Sequence, residues 1–160
     1  MRKILRLFAV AMLLFGPIFF TQSAHAREIA VLLPVTGPLT PLEKFELTKQ
    51  VVGGLSARFE LKHGEDVDRF VKQAFQEESK KKDCDETNCY RRIAAQYHAE
   101  KIVALRVAEV EKGRYLVTYH LYDVPTGEMI ASKKKECAQC SFEKLKALCK
   151  ELTSGMSKAQ

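Results

Sequence analysis

The sequence predicts an α/β domain: a mixed sheet with a three-stranded antiparallel meander, packed by about four helices. Three observations carry this class. Glu28 to Val35 (EIAVLLPV) is a nearly unbroken apolar run, the pattern of a strand buried on both faces. Segments of helical period follow it, the cleanest being Val67, Phe70, Val71, Ala74 and Phe75. From Lys101 to Glu136, three strand-like runs are joined by two short turn signals, which is the signature of a meander.

The elements follow in order. After the first strand and the loop Thr36-Gly37-Pro38-Leu39, Thr40-Pro41-Leu42-Glu43 combines a cap residue, proline at the first helical position and glutamate three residues after the cap, a capping box. The helix it opens places Leu42, Phe45, Val52 and Leu55 on one side, and Gly53-Gly54 weakens its last turn. Phe59 and Leu61 alternate in a short second strand closed by Gly64, and a second helix starts at Asp66. The polar loop Cys84-Asp-Glu-Thr-Asn-Cys89 leads into a third helix with Thr87 or Asn88 as cap and Tyr90, Ile93, Ala94 and Tyr97 facing inward.

In the meander, Val103, Leu105 and Val107 form one face of the first strand, with Ile102, Ala104, Arg106 and Ala108 on the other. Glu111 to Arg114 is a hairpin turn, and Asp123-Val-Pro-Thr-Gly127 is a second turn in which Gly127 can take the left-handed conformation. The third strand, Glu128 to Glu136, is apolar at its start and basic at Lys133 to Lys135, which suits a sheet edge. Ser141 caps a last helix carrying Phe142, Leu145, Leu148, Cys149 and Leu152 inward. Residues 27–153 thus form a single α/β domain, with 154–160 a flexible tail.

The N-terminus sets the compartment. Arg2, Lys3 and Arg6 precede an apolar run from Leu7 to Phe20, and the small-x-small site Ala24-His25-Ala26 follows a polar stretch. This is the pattern of a cleavable signal peptide over residues 1–26, cut after Ala26, so a bacterial periplasmic protein without stable membrane insertion is expected. The mature residues carry 23 basic against 20 acidic side chains, a net of +3, so nothing nominates nucleic acid as a partner.

Five cysteines in an exported chain leave at least one without an intramolecular partner. Proximity favours Cys84 with Cys89 and Cys137 with Cys140, leaving Cys149 unpaired among leucines. Cys137-Ala-Gln-Cys140 also admits a thiol-disulfide oxidoreductase, since a helix follows it and Lys133 to Lys135 add positive potential. The antiparallel strands before it differ from the βαβ setting of that chemistry, and Ser141 rather than a sulfur is placed to cap the helix. A zinc site from the two cysteine pairs is possible by count, but such pairs in an oxidising compartment more often form disulfides. Covalent haem is excluded because serine follows Cys140. Hydrolase, metalloprotease and phosphate-loop motifs are absent, and His63, His98 and His120 read as surface or packing residues. No catalytic residue, metal or cofactor is expected.

The segments EIAVLLP, RFEL, CDETNCYRRIAAQYHAEKIVAL and YDVPTGEMIAS, in this order, resemble the N-terminal-domain-like modules of the periplasmic TolB family. Ile93 to Val103, where a small-residue helix turns directly into a strand, carries most of the likeness. The resemblance implies an α/β domain used for protein contacts in cell-envelope assemblies and not for catalysis, here with no propeller expected after Gln160. The expected function is therefore an exported, non-enzymatic binding or assembly module with envelope proteins as partners. Its contact surface is expected at a sheet edge, a helix face, the Gly37 to Pro41 loop, or the less apolar face of the meander, represented by Arg106, Thr118, His120 and Lys133.

Overall fold

The structure, a computed structural model, describes residues 27–81 and 85–154. The expected signal peptide, Cys84 and the tail beyond Ser154 lie outside the described residues. Five strands form one sheet in the order β2-β1-β3-β4-β5: β1 Glu28–Leu32, β2 Phe59–Lys62, β3 Lys101–Glu111, β4 Arg114–Asp123 and β5 Glu128–Cys137. β1 runs parallel to both β2 and β3, while β3, β4 and β5 form the antiparallel meander. Helices α1 Pro41–Leu55, α2 Glu65–Glu78, α3 Glu86–Tyr97 and α4 Phe142–Ser154 pack on its two faces.

Handedness places the helices. The β1-α1-β2 crossover steps one way across the sheet and the connection from β2 through α2 and α3 to β3 steps back the other way. Right-handed crossovers in opposite directions put their helices on opposite faces. α1 (Leu47, Val51, Leu55) and α4 (Leu145, Cys149, Leu152) accordingly cover Val103 to Val107 and Val117 to Leu121 through their odd-numbered residues. α2 (Val67, Val71, Ala74) and α3 (Tyr90, Ile93, Ala94) cover Val31, Leu33 and Ile102 on the other face.

Several local expectations change. β1 ends at Leu32 rather than Val35 because Pro34 has no N–H to continue the ladder, yet the chain still follows β3. Leu33 N–H donates to the Val103 carbonyl (2.9 Å), Thr36 N–H to Leu105 (3.2 Å), and Val107 N–H to Thr36 (2.8 Å). The capping box is present, with Thr40 Oγ1 accepting from Glu43 N–H and the Glu43 carboxylate accepting from Thr40 N–H. The buried face of α1 is Leu47, Val51 and Leu55, however, and Leu42 and Phe45 are 70% and 58% exposed. Of the expected stripe, Leu55 is buried and Val52 packs against the core, while Leu42 and Phe45 do not join it. α3 is capped by Asp85, whose Oδ1 accepts from Thr87 N–H at 2.9 Å, not by Thr87 or Asn88. α4 is capped by Ser141 Oγ, which accepts from Lys144 N–H at 3.3 Å, and runs on through Ser154.

At the base of the sheet, where β1 and β3 begin and β4 ends, Lys101 Nζ lies 2.7 Å from Asp123 Oδ1 and 3.3 Å from Glu28 Oε1. The Lys101 ammonium, followed by the hydroxyl and N–H of Thr126, holds the Asp123 carboxyl down to about 2. Burial alone would lower Lys101, but its bonds to Asp123 and Glu28 win and raise it. Asp123 therefore joins the central strands to the second turn, where Gly127 adopts φ 73°.

Candidate docking groove on the open face of the meander

Residues directly opposed across antiparallel strands share a face. On the face that carries α2 and α3, the pairing sets Ala104 beside His120 and Ser132, Arg106 beside Thr118 and Lys134, and Ala108 beside Leu116 and Glu136. α2 and α3 cover only one end of this face, around Ile102 and Tyr122. Ala104, Arg106, Ala108 and His120 remain open as the floor of a concavity of about 800 Å³.

One wall comes from α2 and α3. Phe75 meets Tyr90 edge to face with centroids 6.1 Å apart, and Tyr90 lies against Tyr122 at 4.7 Å. The Tyr90 hydroxyl donates to the Glu86 carboxylate. Burial, together with that carboxylate, raises the phenol well above its ordinary value, so it stays a neutral donor. The opposite wall is the segment from Leu33 to Pro38, fixed to β3 by the backbone bonds at Thr36. Gly37 makes this possible. Its φ is 143°, and a side-chain Cβ there would stand 2.2 Å from the Val107 carbonyl oxygen.

The floor mixes small and polar groups. Ala104 and Ala108 leave space on either side of Arg106, whose side chain is exposed and forms no ion pair or hydrogen bond with the described residues. Lys134, on the same face but beyond the lining of the concavity, is exposed and equally unengaged. Thr118 lies between them and is itself 8% exposed. His120 Nδ1 is buried without a hydrogen-bond partner among the described residues.

Of the four residues expected on this surface, Arg106, Thr118 and His120 come together on one face. Lys133 does not. It opposes Tyr119 and so lies on the α1 and α4 side. The cause is a β-bulge at Ile130: Tyr122 pairs with Met129 but Leu121 pairs with Ala131, and the extra residue turns every later side chain of β5 to the other face. Lys134 takes the place expected for Lys133. The aromatic wall was not anticipated, because Phe75 and Tyr90 read as inward positions of two separate helices and Tyr122 only as an alternating position of a strand.

The cysteines lie elsewhere. Cys137 and Cys140 are disulfide-bonded with Cα atoms 5.3 Å apart, and Cys137 is 8% exposed. Cys140 N–H donates to the Gly113 carbonyl at 2.9 Å, so the bridge holds the β3–β4 turn against the start of α4. The α4 N-terminus takes its cap from Ser141, not from sulfur. Cys149 is fully buried, and burial pushes its thiol up to about 12. Cys89 is buried with its sulfur 3.8 Å from the Ala74 carbonyl oxygen, and its expected partner Cys84 lies outside the described residues. Among the described residues no group of three or more His, Cys, Asp or Glu is placed to hold a metal, and no helix is long and apolar enough to cross a membrane.

No protein-family model matches the chain, and no curated protein matches it. Solved structures do. The chain is similar to PelC from Paraburkholderia phytofirmans, solved as a dodecamer, with 13% identity over 84% of this chain and 90% of that one and a TM-score of 0.50. It is similar to the LpoB C-terminal domain from Salmonella enterica, with 19% identity, coverage of 73% and 87%, and a TM-score of 0.47. TolB from Acinetobacter baumannii matches at 13% identity over 78% of this chain and 27% of that one, with a TM-score of 0.44. What is shared with PelC at this identity is the fold. The TolB similarity does not single out the TolB modules from the other two.

Proposed function

We propose that the protein is an exported, non-enzymatic binding module of the bacterial envelope that receives a partner protein in the groove between the Leu33 to Pro38 segment and helices α2 and α3. One observation carries this reading: a sheet covered by helices on both faces leaves half of one face open as a walled concavity of about 800 Å³ with an apolar and aromatic wall. The N-terminal pattern of basic, apolar and small residues supports export with Arg27 as the mature N-terminus. The polar groups of the groove also fit binding better than catalysis, since Glu86 is occupied by Tyr90 and no nucleophile is hydrogen-bonded to His120 among the described residues.

In this reading the Cys137–Cys140 bridge is a clasp. Insulin reduction by the exported protein is expected to stay at buffer background, and turnover that Cys140→Ser abolishes would overturn the non-enzymatic reading. The groove is tested by a photo-crosslinking residue at Ala108 in the full-length chain. A discrete adduct is expected from position 108, none from the outer face of α2 at Lys72, and loss of the adduct when Ala104→Trp fills the floor. Equal adducts from both positions, or indifference to Ala104→Trp, would refute docking in the groove.

A further inference from the structure

We infer that an extended segment of the partner protein adds as a short strand to the outer edge of β3 at Glu109, just beyond the Leu33 to Pro38 segment. This rests on the groove being the docking site and adds the mode of recognition, since Pro38, Val107, Ala108 and Glu109 all line the groove. The direction of the β3 backbone follows from its period of two. Leu33 N–H donates to the Val103 carbonyl, Thr36 N–H to the Leu105 carbonyl, and Val107 N–H to the Thr36 carbonyl. The odd-numbered residues of β3 therefore turn their N–H and C=O groups towards the β1 side, and the even-numbered ones turn theirs towards β4. Glu109 belongs to the first set, but nothing stands opposite it. β1 itself pairs only as far as Val103, while β3 runs on to Glu111.

Pro38 is the cause. After Thr36, the next rung of the parallel ladder would run from residue 38 to the Val107 carbonyl, and proline has no N–H to give. Leu39 N–H instead closes back on the Gly37 carbonyl at 2.9 Å, which turns the chain away before it reaches Glu109. Among the described residues no backbone group bonds the Glu109 N–H or C=O from this side, and the Glu109 carboxylate is directed to Gly113 N–H. Glu109 is exposed and Val110 is 50% exposed, so the edge is open to solvent. One residue of an added chain can exchange both of its backbone bonds with Glu109, as in an antiparallel hydrogen-bonded pair, and the residue beside Ala108 then points its side chain over the groove floor. The chemistry recognised is that of an extended polypeptide backbone. The two ends of the sheet are poorer sites: β2 has only four residues, and β5 carries a bulge and Lys133 to Lys135, two devices that discourage pairing. A second copy fits less well than a free segment, because the ten-residue β5 edge laid along so short an opening would run into Pro38.

The test is a selection from a library of random dodecapeptides on the exported protein, followed by affinity measurements and amide hydrogen exchange by NMR. In the free protein the Glu109 amide should exchange faster than the Ala108 amide, which faces β4. A saturating selected peptide should shift the Ala108 signal and slow exchange at Glu109 about tenfold or more. Glu109→Pro removes the edge donor, and because that N–H points away from β4 the variant should melt close to wild type and bind the peptide about tenfold more weakly. Glu109→Ala keeps the N–H and should bind within about twofold of wild type. Peptides that shift Ala104 and Ala108 but leave exchange at Glu109 unchanged would overturn strand addition while leaving docking in the groove intact. A Glu109 amide as slow as that of Ala108 in the dilute free protein would show the edge to be closed already, which sinks the inference. Protection of Glu109 that grows with protein concentration without peptide would give the edge to a second copy in place of a partner segment. Failure of every peptide to bind would also overturn the inference, and the crosslink from Ala108 then reports separately on the groove.

Discussion

Adjacent glycines in α1 should respond to the same substitution with opposite signs. A Cβ added at Gly53 meets nothing within 4 Å, so Gly53→Ala only removes backbone freedom from a helix and should stabilise the domain by about 0.5–1 kcal/mol. At Gly54 the new Cβ would stand 2.1 Å from Thr153 Oγ1 and 2.9 Å from Thr153 Cβ. Thr153 is fully buried in α4 and its hydroxyl donates to the Cys149 carbonyl at 3.0 Å, so it has no free direction in which to retreat. Overpacking of this kind costs about 1–3 kcal/mol, which offsets the helix-propensity gain of about 1 kcal/mol and leaves a net loss of up to about 2 kcal/mol. With roughly 3–5 °C per kcal/mol for a domain of this size, Gly53→Ala should raise Tm and Gly54→Ala should lower it by several degrees. Thermal and urea melts of the two variants, with Thr153→Ala as the second arm of a double-mutant cycle, measure this directly. Thr153→Ala should recover part of the Gly54→Ala loss, because it removes the closest contact and leaves only the carbon–carbon one. If Gly54→Ala melts as high as Gly53→Ala, the close approach of α1 to α4 is wrong.

Three further outcomes follow from the packing and the charges. Asp123 has a depressed carboxyl, so its contribution is complete above the ordinary aspartate value and is lost as pH falls from about 4 to about 2; Tm measured across that window should fall less steeply in Asp123→Asn than in wild type. Cys149 has a raised thiol, so the native state keeps a proton that the unfolded chain releases and stability should decline as pH rises above about 9; iodoacetamide should label Cys149, mapped by peptide mass, in denaturant and not in the native protein. Leu47→Ala should cost about 2–5 kcal/mol in urea melts, whereas Phe45→Ala should stay within about 0.5 kcal/mol, and the reverse order would mean that α1 is rotated about its axis.

What could be read in the sequence was what neighbouring residues decide among themselves. Thr40, Pro41 and Glu43 specify a helix start through bonds within one turn, and Ser141 does the same for α4. The two meander turns are set by Gly113 and by the Asp123 to Gly127 segment, so the antiparallel strands were legible as well. The α1 stripe was legible only in part: Leu55 is buried and Val52 packs against the core, but Leu42 and Phe45 have the right period and are exposed. The bulge at Ile130 was equally hidden: one unpaired residue leaves no mark on composition and yet moves Lys133 and Lys134 to opposite faces. Arg106, Thr118 and His120 could be grouped from alternation within two strands. The wall that turns their face into a groove comes from α2, α3 and the Leu33 to Pro38 segment, and nothing in any one of these reveals the others.

The parallel pairing of β1 has a consequence for the order of events as the chain folds from its N-terminus. Its partner on one side, β2, lies close by in the chain, with Glu28 beside Phe59. Its partner on the other side, β3, begins with Ala30 beside Lys101. A chain delivered N-terminus first can build the β1-α1-β2 unit early, but the apolar Ala30 to Leu32 edge then waits for about forty more residues before β3 arrives, and closing a loop of about seventy residues between the paired strands is slow. The meander, by contrast, is assembled from local hairpins and can dock as a finished piece. The vulnerable state of this domain is therefore a moment rather than a place: the interval in which a half-built sheet shows an open apolar strand, ended by the arrival of β3.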